Sequence, residues 1–441
     1  MEQKVEIGLS LIGQTIKWHR IRQGITQEQL AEGICSSAYL SKLENNQISF
    51  NKEIVSQLCE RLELPVEKFI APSDEHVKKT LENWIDALHH YDLKKADTYY
   101  QEIQSQDEKK IAVELSYLYE LTLFGHYLLT QQYEKFNEKF TYLQSFSWIL
   151  EEHYPYSYHK FIGYYYLTKF YCSNAIKHFK QAEKMIKDTS DPELYLMIAN
   201  AYTRMEMILR SNKYALKAFQ IFQAELDYTR VISCQIILGM NYCLIEDFET
   251  AESYFRKLRD LDDSQVGSLI KSVIYMCEGM MAMQKQEYEM AREYFMKATA
   301  RQTNHEVELS SYHYLAMTYF YLGENERAFE ELNKGINVAK TYQNIRYQFK
   351  LKSILYYLRE QHEELNQLLF KEAIPFYQKL NEEHELCSYY LLAGSVMNEM
   401  KRYKDATKYL MAAYRINRSE DTFLPNLKSA KAKPGLPLLT Y

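Results

Sequence analysis

Five times along the chain a small residue stands twelve positions before an alanine: Gly163 and Ala175, Gly239 and Ala251, Gly279 and Ala291, Ala316 and Ala328, Gly394 and Ala406. Four positions after each alanine comes Phe179, Phe255, Phe295, Leu332 or Leu410, and three further on Ala182, Leu258, Ala298, Gly335 or Ala413. Weaker copies centre on Ala96, Phe136, Ala215 and Leu365, and successive anchors lie 36 to 41 residues apart. Offsets of three, four and seven share one face of a helix, so each copy reads as a pair of helices. The small residue lets the second helix approach, and the alanine and large residue fill the gap. A unit of this kind cannot bury its apolar face alone, so the units must stack.

Breakers are scarce. The 441 residues include 13 glycines and 8 prolines, far below the usual shares of about 7% and 5%. A β or α/β chain needs more turns, so an all-α chain with short connections is expected. The 40 tyrosines read mostly as packing between helices. The longest uncharged apolar stretch, residues 231–245, falls short of the about 20 residues of a membrane span, so no membrane partner is expected. The opening residues lack the charged and then apolar pattern of a secretory leader. Seven scattered cysteines without a CxxC pair read as reduced, buried thiols of a cytoplasmic protein. A net charge of −6 means that any nucleic-acid contact must be local.

Residues 1–71 read as a separate unit. Leu11, Ile12, Ile16 and Ile21 have helical spacing, flanked by Lys17, Arg20 and Arg22, and Gly24 ends this helix. Thr26 and Gln29 form a capping-box pattern for a helix over 27–33 that buries Leu30 and Ala31. Ser36 or Ser37 caps a third helix over 38–45. A fourth, over 51–62, buries Ile54, Val55, Leu58 and Leu62, and Pro65 stops it. Two short helices around a tight turn point to a helix-turn-helix. The series Gly13, Ile16, Arg20, Thr26-Gln27, Leu30-Ala31 and Tyr39-Leu40-Ser41-Lys42-Leu43-Glu44 resembles the DNA-binding domain of lambda-repressor/Xre-like regulators. The resemblance implies that Gln27 meets a phosphate and that Ser36, Ser37, Ala38, Tyr39 and Lys42 read the major groove of double-stranded operator DNA. It also implies a structural Arg20–Glu44 pair. The turn is one residue shorter than the commonest Xre spacing and its glycine is missing, with Ile34-Cys35-Ser36-Ser37 in its place. Eight Lys and Arg stand against nine Glu in residues 1–71, so phosphate attraction alone is weak. Such a head is expected to bind as a dimer on two half-sites.

Residues 72–76 read as a linker, 77–420 as the repeat array and 421–441 as a flexible tail. The spacing from small residue to alanine, with Tyr166, Tyr202, Tyr242 and Tyr319 three places after the small position, resembles the tetratricopeptide repeat. That resemblance implies a right-handed superhelix of about nine helix pairs for peptide binding and dimerisation, its first helices lining a concave face. It places Tyr164, Asn200, Met240, Met280, Met317 and Ser395 on that face. The flanking turns add Lys160, Arg204, Gln284, His313, Phe320 and Asn398, and Asn241 lies one place off. The expected peptide-binding set is Lys160, Tyr164, Asn200, Arg204, Asn241, Met280, His313, Met317 and Asn398. The Asn200 amide both donates and accepts, as a peptide bond requires, and Arg204 can meet a carboxylate.

The head and array together resemble the RRNPP family of peptide-pheromone-responsive regulators, with the PlcR/NprR branch nearest in its short turn. The resemblance implies a cytoplasmic quorum-sensing transcriptional regulator, a homodimer or higher homo-oligomer, that binds operator DNA and is controlled by a short imported signalling peptide. The alternative is an array that holds a protein partner, such as a response regulator in the Rap manner, or that only oligomerises. No GxGxxG, GxxxxGK[ST], HExxH or GxSxG motif occurs, and the two SxxK matches, Ser157–Lys160 and Ser268–Lys271, fall inside helices. The histidines form no ligand cluster with the cysteines. No enzyme, cofactor or metal is expected.

Overall fold

The computed structural model describes residues 2–66, 69, 74–105, 111–186, 190–261, 263–300 and 305–419, and every regular element among them is helical. The chain divides into two compact units, Met1–Tyr165 with His178–Asp188, and Tyr166–Lys177 with Thr189–Tyr441.

The first unit begins with the head: α1 (Glu2–Arg22), α2 (Gln27–Ala31), α3 (Ser37–Glu44) and α4 (Lys52–Arg61). Gly24, at φ 70°, ends α1. The Thr26 hydroxyl accepts from the Gln29 amide at 3.1 Å, and the Gln29 side chain accepts from the Thr26 amide at 2.8 Å, which completes the capping box. Ser36 caps α3 and Asn51 caps α4. The turn glycine is present after all: Gly33, at φ 73°, takes the left-handed turn that ends α2 early. Ile12, Ile16, Leu30, Leu40, Leu43, Val55 and Leu58 form the core. Gly13 passes against the backbone of α3, where a Cβ would sit 2.0 Å from the Leu43 carbonyl oxygen.

The remaining helices of this unit are α5 (Glu75–His89), α6 (Leu93–Gln104), α7 (Val113–Leu129), α8 (Tyr133–Gln144), the short α9 (Ser147–His153), α10 (Pro155–Thr168) and α11 (Cys172–Met185), the last two shared with the second unit. Asp74 caps α5, so residues 74–76 open a helix rather than a linker; residues 72 and 73 lie outside the described residues. The head packs against α7 to α9 within one compact unit.

The second unit continues as α12 (Pro192–Arg204), α13 (Ile208–Ala224), α14 (Tyr228–Leu244), α15 (Phe248–Arg259), α16 (Asp263–Gln284, broken at Gly267), α17 (Tyr288–Thr299), α18 (His305–Tyr321), α19 (Asn325–Thr341), α20 (Ile345–Leu358), α21 (His362–Gln367), α22 (Ile374–Leu380), α23 (Glu383–Glu399) and α24 (Tyr403–Ser419). A π-helical stretch, Leu368–Ala373, joins α21 to α22. Pro375 has no amide proton for the carbonyl four residues back, and the widened turn accommodates that loss. The expected tail, 421–441, lies outside the described residues.

The recurrent small residue has a steric cause. A Cβ on Gly239 would lie 2.6 Å from the Phe255 ring, on Gly279 2.5 Å from Phe295, and on Gly394 2.7 Å from Leu410. In the first unit Gly163 meets Phe179 in the same way, at 2.5 Å. The large residue of each second helix therefore occupies the space above the small residue of the first. The turns between the two helices explain the low glycine count. Tyr91, Gln131, Glu206, Glu246 and Gln286 adopt φ between 56° and 64° without being glycine. At these turns a six-to-one bond, such as Met207 N–H to Tyr202 O at 2.9 Å, closes the helix end.

Burial also sets an acid response. It presses His19 and His178 down to about 4, helped by Arg22 and His159 respectively. Both folded values lie below the unfolded value near 6.5, so the unfolded chain binds protons first. The stability they contribute is present above pH 6.5 and is lost as pH falls towards 4. Each group contributes a slope of at most about 1.4 kcal/mol per pH unit. The urea midpoint of the first unit is expected to fall steadily over that window, and His178→Asn should flatten the slope. A midpoint independent of pH between 7 and 4.5 would contradict this account.

Candidate functional site

On the head, the Ser36 hydroxyl accepts from the Tyr39 amide at 3.1 Å and so caps α3. Ser37, Ala38 and Lys42 are exposed. Tyr39 is half-buried against the head core, and its hydroxyl accepts from the Asn51 amide at 3.3 Å. Arg20 donates through Nε and Nη2 to the two oxygens of the buried Glu44, at 2.6 and 2.8 Å. Gln27 Nε2 donates to the same carboxylate at 2.7 Å. A hollow lined by Arg20, Gly24, Thr26, Gln27, Ser37 and Ser41 lies where the three helices meet.

In the second unit, Asn200 and Arg204 stand one turn apart on α12, both half-buried. Arg204 Nε donates to Asn200 Oδ1 at 2.8 Å, and Nη1 to the Leu167 carbonyl at 3.3 Å. The Arg204 guanidinium lies 4.5 Å over the Phe170 ring, and Arg346 of α20 lies 4.5 Å over the same ring. Arg346 Nε in turn donates to Glu385 at 2.5 Å. Glu382 accepts from the amides of Asn174 (2.9 Å) and Ser173 (3.3 Å), and Asn174 Nδ2 donates to the Leu380 carbonyl at 3.1 Å. The turn around Phe170 is thereby tied to the turn between α22 and α23.

This region is electrostatically tense. Burial pushes Glu382 up to about 8, against the two amide bonds that favour its carboxylate. Burial, then the Arg346 charge, lowers Lys350 to about 7. Burial raises Glu206, and Lys350 opposes that shift.

Several expected peptide contacts are placed elsewhere. Asn241 is fully buried: Oδ1 accepts from the Thr203 hydroxyl at 2.9 Å, and Nδ2 donates to Ser211 Oγ at 2.8 Å and Asn212 Oδ1 at 2.7 Å. One place off the groove position, its amide locks α14 to α12 and α13. Lys160 is buried in the first unit, its Nζ donating to the His89 carbonyl at 2.9 Å. Tyr164, half-buried in the same unit, shares a hydrogen bond with Tyr91 at 3.3 Å. His313 and Met317 are buried, Met317 in the cluster that includes Phe170, which fills the space at that level. Met280 remains half-buried and Asn398 exposed.

Phe170, Arg346, Lys350, Glu382 and Glu385 were not in the expected set. A signal existed: Ser353 stands twelve places before Leu365, so Lys350 occupies the flanking-turn position of that weak repeat.

Among the described residues no group of three or more His, Cys, Asp or Glu could hold a metal, and no helix is long and apolar enough to cross a membrane.

A helix-turn-helix family model matches residues 16–69, and a tetratricopeptide-repeat model matches residues 274–305. The transcriptional activator NprA of Geobacillus stearothermophilus is 23% identical over 406 residues, 87% of this chain and 98% of that protein. Over most of its length the chain is thus similar to a transcriptional activator, and it carries a helix-turn-helix match and a tetratricopeptide-repeat match. The regulatory protein RapD of Bacillus subtilis is 27% identical over 56% of this chain and 70% of its own length. Among solved structures, NprR in complex with its cognate peptide NprX aligns with a TM-score of 0.66 at 20% identity, over 79% of this chain and 99% of that chain. A Rap protein complexed with competence and sporulation factor aligns at 0.63 and 18% identity, over 78% and 99%. These structural likenesses show the fold.

Proposed function

We propose that the chain is a cytoplasmic quorum-sensing transcriptional regulator. Its head binds operator DNA as a homodimer, and a short imported signalling peptide, held along the first helices of the array, sets its activity. The observation that carries the reading is the half-buried Asn200–Arg204 pair on α12, in a chain whose head leaves Ser37, Ala38 and Lys42 exposed. Asn200 can pair with a peptide bond once Arg204 turns to a carboxylate. The relatives support this: NprA is a transcriptional activator, and NprR has been solved with its cognate peptide. The peptide must bind one state of the regulator better than the other, since equal affinity shifts nothing.

The test is calorimetric titration with the C-terminal peptides encoded by an adjacent small reading frame, followed by operator-binding assays. Micromolar or tighter binding is expected. Asn200→Ala should weaken the peptide by about tenfold, the equivalent of one buried hydrogen bond, and leave peptide-free DNA binding intact. Lys42→Ala should weaken DNA and leave the peptide unchanged; Tyr39 is a poorer choice because it also supports the head core. Unchanged peptide affinity in Asn200→Ala would remove α12 from the site. A second reading, in keeping with the resemblance to Rap-type proteins, is an array that holds a protein partner such as a response regulator. Operator binding without response to any peptide would favour it.

A further inference from the structure

Helix α1 carries two apolar stripes. Ile12 and Ile16 are buried in the head core. Leu11 and Trp18 are equally buried but do not belong to that core. Leu11, Thr15 and Trp18 have the i, i+4, i+7 spacing of one helix face. That face meets the first repeats. The Thr15 hydroxyl shares a hydrogen bond with the buried Tyr117 hydroxyl of α7 at 2.9 Å. Trp18 Nε1 donates to the Ser145 carbonyl at 2.8 Å. The indole packs edge-on against Phe146 and Tyr142, at 5.7 and 6.4 Å. Gln14 is satisfied from both sides: Nε2 donates to Glu152 at 2.9 Å, and Oε1 lies 3.0 Å from His153 Nε2. A helix on a loose tether would leave this second face to water; here Leu11, Thr15 and Trp18 are buried on it while Ile12 and Ile16 are buried in the head core, so the helix is packed on two sides. The exposed Ser37, Ala38 and Lys42 take no part in the joint.

We propose that α1 is a coupling helix, which docks the head on α7 to α9 as one rigid body and carries the state of the array to the DNA-reading surface. The docking itself needs no ligand, and its transmission role rests on the peptide-responsive reading above. The joint is built of side chains that touch neither the recognition helix nor the Asn200 site. It can therefore be broken without removing either binding surface.

The experiment places a fluorophore on the exposed Glu32 as Glu32→Cys, in the full chain, and measures time-resolved anisotropy. The intact joint predicts that the label tumbles with the whole unit, without a separate nanosecond head motion. Trp18→Ala should introduce that motion while helix content stays unchanged. If the tryptophan variant fails to fold, the milder pair Gln14→Ala with Thr15→Val serves the same purpose. A fast head component in the unsubstituted chain would overturn the proposal. So would its absence in both joint variants.

The transmission arm uses a duplex selected by the protein from a randomised 30-base-pair pool and a peptide selected from a displayed heptapeptide library. In the joint variants each affinity should stay within about threefold, whereas the peptide-induced change in DNA affinity should fall at least tenfold. An undiminished response would overturn the coupling role. If no peptide is selected, the peptide reading fails, and the anisotropy still decides the docking.

Discussion

Arg20→Ala is expected to unfold the head. The Arg20 side chain is 11% exposed and that of Glu44 fully buried, and the pair is bidentate. Removing the guanidinium leaves a buried carboxylate with Gln27 Nε2 as its remaining side-chain donor. Breaking one partner of a buried pair costs about 3–5 kcal/mol, comparable to the whole stability of a small domain. The loss also frees the Ile25 carbonyl, which Arg20 Nη1 holds at 3.0 Å at the entry to α2. Urea unfolding followed by Trp18 fluorescence should show a separate early transition, while most of the helical circular dichroism survives. An apolar exchange of both partners, Arg20→Met with Glu44→Leu, should recover most of the loss, because no unpaired charge remains. A cost below about 1 kcal/mol for Arg20→Ala would mean that water reaches Glu44.

The second large effect belongs to the array. Phe255 is fully buried, and its ring lies over Gly239. Phe255→Ala should cost about 3–5 kcal/mol, for lost transfer energy and the cavity left behind. The informative comparison is Gly239→Ala. In the unsubstituted protein the new methyl group would meet the ring at 2.6 Å, and overpacking of this kind costs about 1–3 kcal/mol. In the Phe255→Ala background the methyl group has room, and alanine improves on glycine in a helix by about 1 kcal/mol. The sign of the glycine substitution should therefore reverse between the two backgrounds. Additive effects in the four-protein cycle would show that Phe255 does not occupy the space above Gly239.

These predictions separate what was legible from what was not. The head was readable because its determinants are local: the Thr26–Gln29 box, the Ser36 and Asn51 caps and the Gly24 stop act within four residues. Two points differ: Gly33, since a glycine two residues beyond a short helix reads as easily as the helix end as it does as the turn, and Ile54, expected in the core but half-buried at its edge. The repeat register was readable for a similar reason, because Gly239 and Phe255 are sixteen residues apart in one hairpin and constrain each other directly. The inner face was less legible. Asn200 and Asn241 differ by one place in their repeats, yet one is half-buried beside Arg204 and the other is locked among Thr203, Ser211 and Asn212. Helices longer than the usual repeat shift the face that each position presents, and spacing alone cannot say by how much.

By itself the sequence determined the all-α class, the helix-turn-helix head, the pairing of helices in the array and the sites of close packing. Each of these rests on contacts within a helix or between chain neighbours, where sterics and capping leave one solution. Tertiary structure alone decided that α1 is packed on two sides, that Phe170 lies between Arg204 and Arg346, and that Glu382 caps α11. Those contacts join residues more than a hundred positions apart in α1 and about two hundred apart at Glu382. Nothing in a local pattern selects such a partner, because it depends on how small rotations accumulate from one helix pair to the next.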